Sequence, residues 1–147
     1  MKYLGLGYYD PKAFEALSEA EQKALGAQCA PLDEEFRETG KVVAEASLGP
    51  GAGVVLRPGS GETSVTDGPF AETKEIVGSF FIIEADTLEE AVEIASLHPA
   101  ARTGRELAWG IELRPIGLLG IASDEGSWTV ETDGQSRANG KAGDPEP

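Results

Sequence analysis

The sequence predicts an α+β domain in which one antiparallel sheet carries two helices on a single face. Three observations carry the prediction. Strand-like runs occupy 2–9, 76–84 and 109–116. Ser18 and Thr87 each precede a segment of helical apolar spacing, with a glutamate (Glu21, Glu90) three residues on. Along the chain these signals fall in the order βαβ, hairpin, βαβ.

In 2–9, Leu4, Leu6 and Tyr8 share one face, and Tyr3, Gly5, Gly7 and Tyr9 the other. Asp10-Pro11 then breaks the strand. Ser18-Glu19-Ala20-Glu21 fits a capping box, and the helix it opens carries Leu25, Cys29, Leu32 and Phe36 as one apolar stripe. Pro31 should kink that helix and Gly40 should stop it. A second strand is expected at 42–48. A short hairpin follows at 54–56 and 63–66, split by the turn-rich Arg57-Pro58-Gly59-Ser60-Gly61. Asp67-Gly68-Pro69-Phe70 reads as a turn, with Phe70 a core or dimer-packing residue. Thr87-Leu88-Glu89-Glu90 caps a second helix whose inner face is Leu88, Ala91, Val92 and Ala95, with Pro99 as its end. The pattern is ferredoxin-like. Residues 1–117 make the domain, and 118–147 make an acidic, Gly/Ser-rich and largely mobile tail in which Trp128 and Val130 form a short docked segment.

The strand Phe80-Phe81-Ile82-Ile83 is apolar on both faces, yet two helices cover only one. The economical solution is a homodimer packed sheet to sheet into a dimeric α/β barrel. If Ile111 and Leu113 meet the helices, Glu112 and Arg114 face the space between the sheets, and by the same alternation Glu45 joins them. An enclosed space with a few polar groups is a ligand site for a small organic molecule, an acid if Arg114 anchors it.

Composition excludes several classes. The chain is 40% hydrophobic with a formal net charge of −14, and its lysines and arginines are scattered singly. Such a surface repels phosphate backbones, so nucleic acid is not an expected partner. No apolar run is long enough to span a membrane, and the N-terminus has no signal-peptide pattern, so the cytoplasm is the expected location. The single cysteine, Cys29, allows no intrachain disulfide or thiolate metal cluster and reads as a packing residue. Gly49-Pro50-Gly51-Ala52-Gly53 lacks the Lys-Ser/Thr and helix of a phosphate loop and reads as a hairpin loop. No cofactor or metal site is expected.

The segment Thr66-Asp67-Gly68-Pro69-Phe70-Ala71-Glu72-Thr73-Lys74-Glu75 resembles the signature of the YCII-related, or DGPF, family. Its setting is similar too: an opening Met1-Lys2-Tyr3-Leu4, the strand Val77-Gly78-Ser79-Phe80-Phe81-Ile82-Ile83-Glu84, and a closing Ile111-Glu112-Leu113-Arg114-Pro115-Ile116. The resemblance covers Met1 to Ile116; Pro31 departs from it. It implies a ferredoxin-like fold and a dimeric α/β barrel. It also implies relatives with a suspected His/Asp active site, related lactone isomerases and a dehydrochlorinase, and a regulatory setting beside extracytoplasmic-function sigma factors. It names no substrate.

Two residues are candidate catalytic groups. Asp67, in a Gly-Pro turn, is either a general base of raised pKa or the hydrogen-bonding former of the turn. His98, the only histidine, falls on the inner helical face; it is either a proton shuttle or a helix-terminal residue meeting the last carbonyls. Arg114, Glu112 and Glu45 are the candidate ligand-binding residues. Two functions stay open: a non-catalytic dimeric module binding a small ligand or a regulatory protein, and a cofactor-independent acid/base enzyme using Asp67 and His98.

Overall fold

The computed structural model describes residues 1–51, 53–132 and 135–141. Ala52 of the glycine-rich loop and the last residues of the acidic tail lie outside the described residues. The first part of the chain runs β1 (Lys2–Tyr9), α1 (Pro11–Glu15), α2 (Glu19–Glu38), β2 (Val42–Ser47), β3 (Val54–Pro58), β4 (Thr63–Asp67) and β5 (Ile76–Glu84). It continues through α3 (Leu88–Ala95), α4 (Pro99–Arg102), a 3-10 turn at Arg105–Leu107, β6 (Gly110–Pro115), β7 (Leu118–Ala122), β8 (Ser127–Thr132) and β9 (Gln135–Lys141). This is a mixed α+β fold with antiparallel sheets and four α-helices, and among the described residues no sheet closes into a barrel.

The main sheet has the order β2-β5-β1-β6, every neighbouring pair antiparallel. Register sorts its two faces. Glu45, Phe81, Gly5 and Leu113 lie in one row across the sheet; Ala46, Phe80, Leu6 and Glu112 lie in the next and point the other way. Tyr3, Phe81 and Ile83 pack with Phe36 of α2 and Ala91, Ile94 and Ala95 of α3 in one buried cluster. Phe36 and Phe81 are fully buried and meet edge to face at 5.1 Å. Burying each such side chain contributes about 3 kcal/mol, the upper end for an aromatic or aliphatic residue. Gly5 makes the packing possible: a Cβ there would stand 2.1 Å from Cζ of Phe81.

The helices follow their caps. Ser18 accepts from the Glu21 N–H, and the Glu21 carboxylate accepts from the Ser18 N–H. Leu25, Cys29 and Leu32 are half-buried in line with Phe36. The helix runs unbroken through Pro31, whose exposed side of α2 costs one backbone hydrogen bond without ending the helix. Gly40, at φ +69, stops it. Thr87 caps α3 through the Glu90 N–H, but Glu90 accepts from the Asp86 N–H, so the second box is only half formed.

Four expectations need correction, and the Asp10-Pro11 break of β1 falls where expected. On α3, Ile94 is buried with Ala91 and Ala95, while Leu88 and Val92 are about half exposed, because the helix presents its other flank to the sheet. Pro99 does not merely end that helix; with a φ already suited to a first turn, it begins α4. The Asp10-Pro11 break likewise opens α1, where Asp10 accepts from the Lys12 and Ala13 N–H groups. Phe70 is 69% exposed, with the Arg57 guanidinium 4.2 Å above its ring, not in the core. Within the stretch expected to be a largely mobile tail, the described residues form β7, β8 and β9, an antiparallel three-stranded sheet in which Trp128 covers Gly120. Leu118, Leu119 and Ile121 supply the strand pattern that the polar composition beyond them obscures. Glu131 of β8 pairs with Lys2 of β1, tying this sheet to the domain.

Candidate functional site

Toward one end of the main sheet the side chains on the helix-facing side become small. Gly7, Ser79 and Ser47 lie in one row, directly beyond the row holding Phe81. The wall above that floor is α2, where Cys29, Asp33 and Arg37 recur at steps of four on one side. With no bulky group on the floor, the sheet and helix leave a cavity of about 780 Å³. That volume suits a drug-sized organic molecule. Tyr9 and Phe14, in edge contact at 6.1 Å, line it from the β1–α1 turn, and Trp109 lines it from beside β6.

His98 reaches the cavity from the N-cap of α4. It is not on the inner face of α3, as the sequence spacing suggests, because the chain leaves that helix before reaching it. Its ring stacks on Phe81 and meets Phe36 edge-on. Nδ1 accepts from the Ala100 N–H at 3.1 Å, so the neutral imidazole carries its proton on Nε2. Burial lowers the pKa of His98 below 6.5, outweighing Asp33 and Glu45, whose charges push it up.

Glu45 lies on the helix-facing side, paired with Arg37 of α2. The register corrects its expected place beside Glu112 and Arg114: Glu45 stands opposite Phe81, whereas Glu112 and Arg114 stand opposite Leu6 and Leu4 on the other face. Asp33 forms no ion pair among the described residues. The Cys29 thiol is pushed up, first by burial and then by Asp33, so it stays protonated at neutral pH.

The cavity therefore gathers His98 and Glu45 and leaves three candidates elsewhere. Asp67 is exposed at the end of β4, opposite Val54, and does not line the cavity. Glu112 and Arg114 are exposed on the open face. Asp33, Arg37, Ser79 and Trp109 are additions that the sequence reading missed. The Cys29-Asp33-Arg37 spacing was visible as a helical stripe, but only the sheet beneath it distinguishes a cavity wall from a solvated flank. Among the described residues, no group of three or more His, Cys, Asp or Glu is placed to hold a metal ion. No helix is long and apolar enough to cross a membrane.

The YCII-related domain profile matches residues 1–108, and the chain belongs to that family. An uncharacterised protein of Rhizobium meliloti (strain 1021) is 38% identical over 96 residues, 65% of this chain and 77% of that protein. All the cavity residues named above except Trp109 fall within the matched region.

Proposed function

We propose that this chain is a ferredoxin-like, cytoplasmic domain that binds a small organic ligand in the cavity between α2 and the end of the main sheet. The sheet order β2-β5-β1-β6 with α2 and α3 on one face supports the architecture. The floor of Gly7, Ser79 and Ser47 beneath a wall bearing charged groups and a histidine carries the binding reading. Binding is favoured over catalysis by the state of the reactive groups. The His98 Nδ1 lone pair is engaged by Ala100, leaving Nε2 as a donor and not a base. The protonated Cys29 is a poor nucleophile.

The open face of the same sheet supports a homodimer. Leu4, Leu6, Phe80 and Ile82 lie together there, with Glu112 and Arg114 beside them. Two such faces packed together would form the dimeric α/β barrel, with the charged pair contacting its counterpart or a ligand.

The single histidine supplies the test of the cavity reading. Small organic probes that bind should shift the His98 Hε1 resonance, and Ser47→Trp, which fills the floor, should abolish those shifts. Asp67→Asn should leave them unchanged. Probes that bind without moving the His98 signal, or that bind Ser47→Trp equally well, would place the site elsewhere.

A further inference from the structure

We propose that the cavity selects a cationic amine with an aromatic or apolar body over an organic acid. The inference rests on the cavity being a ligand site and specifies what that site takes. Its lining contains three carboxylates, Glu15, Asp33 and Glu45, against one guanidinium, Arg37, which leaves a net charge of −2. No lysine lines it.

That guanidinium is already engaged. Arg37 pairs with Glu45, and that pairing reinforces the protonated guanidinium. His98 is held neutral by burial and so offers no second positive charge at neutral pH. A ligand carboxylate would therefore meet no free cation and would face Asp33 and Glu15, neither of which has an ion-pair partner among the described residues. An ammonium group meets the reverse situation. Asp33 stands on α2 where its field reaches both Cys29 and His98, so it faces the interior side of the wall.

The rest of the lining fits the body of such a ligand. Tyr9 and Phe14 present aromatic surface, and Trp109 adds its indole, held by contact with Gly104, where a Cβ would stand 2.2 Å from Cδ2 of the ring. Aromatic faces attract cations and pack apolar groups, so the same walls serve both ends of an aryl-alkyl amine. The net charge of −14 on the chain draws cations toward the cavity and anions away.

The test uses three probes of matched shape on the full chain at low ionic strength: phenethylamine, 2-phenylethanol and 3-phenylpropionate. Binding is read from the His98 Hε1 shift and by calorimetry. Phenethylamine should bind about tenfold or more tightly than 3-phenylpropionate, the factor a single well-placed charge contact supplies. Asp33→Asn should remove most of that advantage while leaving 2-phenylethanol binding unchanged; Glu15→Gln provides a second, independent removal of charge. Equal or tighter binding of the propionate, or of the alcohol relative to the amine, overturns the charge selectivity and leaves the cavity reading standing. So does an amine advantage that survives both substitutions. Failure of all three probes to shift His98 overturns the cavity reading and this inference with it.

Discussion

The imidazole of His98 stacks on the ring of Phe81, with centroids 5.0 Å apart and planes 28° from parallel. Phe81 thus closes the core, while His98, resting on it, lines the cavity. Because burial depresses the His98 pKa, its NMR titration midpoint should lie below 6.5. The unfolded chain, with an ordinary histidine, takes up the proton first as pH falls. The neutral imidazole's contribution to stability is therefore present above 6.5 and is lost as pH falls from there toward the folded midpoint. His98→Asn keeps an acceptor for the Ala100 N–H and removes the titration. Urea midpoints measured above and below 6.5 should fall less with acid in that variant than in the wild type; equal losses would show that burial does not govern this group.

Gly5 and Phe81 form a second close pair. Adding a methyl group at Gly5 places it 2.1 Å from Cζ and 2.4 Å from Cε2 of the ring. Gly5→Ala should cost about 1–3 kcal/mol through overpacking. In the Phe81→Leu background the same change should cost less, since the obstructing ring is gone. A double-mutant cycle by urea unfolding that gave additive losses would deny the contact.

The proposed homodimer predicts a mass twice that of the chain in sedimentation equilibrium at micromolar concentration. Leu6→Glu, directly opposite Phe80 and Glu112 on the open face, should shift the protein to monomers by placing like charges in a buried apolar contact. A wild-type monomer under these conditions would remove the barrel from consideration.

Deleting 118–147 should leave the main sheet folded. Among the described residues the strands β7, β8 and β9 pair with one another alone, and the ion pair Lys2–Glu131 links them to β1. The pair is part-buried, but removing the strands also returns Lys2 to water, so the loss should stay at about 1 kcal/mol. Chemical denaturation of the shortened chain showing a loss well beyond that figure would mean that the C-terminal sheet contributes to the core.

Much of the fold was legible because it rests on local rules. The strand Ile76–Glu84, the capped start of α2 and the stop at Gly40 follow from apolar run length, side-chain-to-backbone hydrogen bonds and glycine's access to positive φ. The hairpin of β3 and β4 followed from its turn residues. The start of α4 was less legible, since Pro99 is both a stop for one helix and an ideal first residue for the next.

The sequence by itself determined the alternation on each strand, the stripe on α2 and the family signature from Thr66 to Glu75. Alternation says which residues share a face of one strand, but not which face of a neighbouring strand they join. That depends on register, and a one-residue difference reverses every side chain. Glu45 shows the consequence: pairing β2 with β5 sets it opposite Phe81 and beside Arg37, away from Glu112 and Arg114. Only the tertiary structure decided that Gly7, Ser79 and Ser47 would share a row, that α2 would lie above it, and that His98 would turn toward the space between. The cavity is a property of what three strands and a helix leave unfilled, and no single segment encodes it.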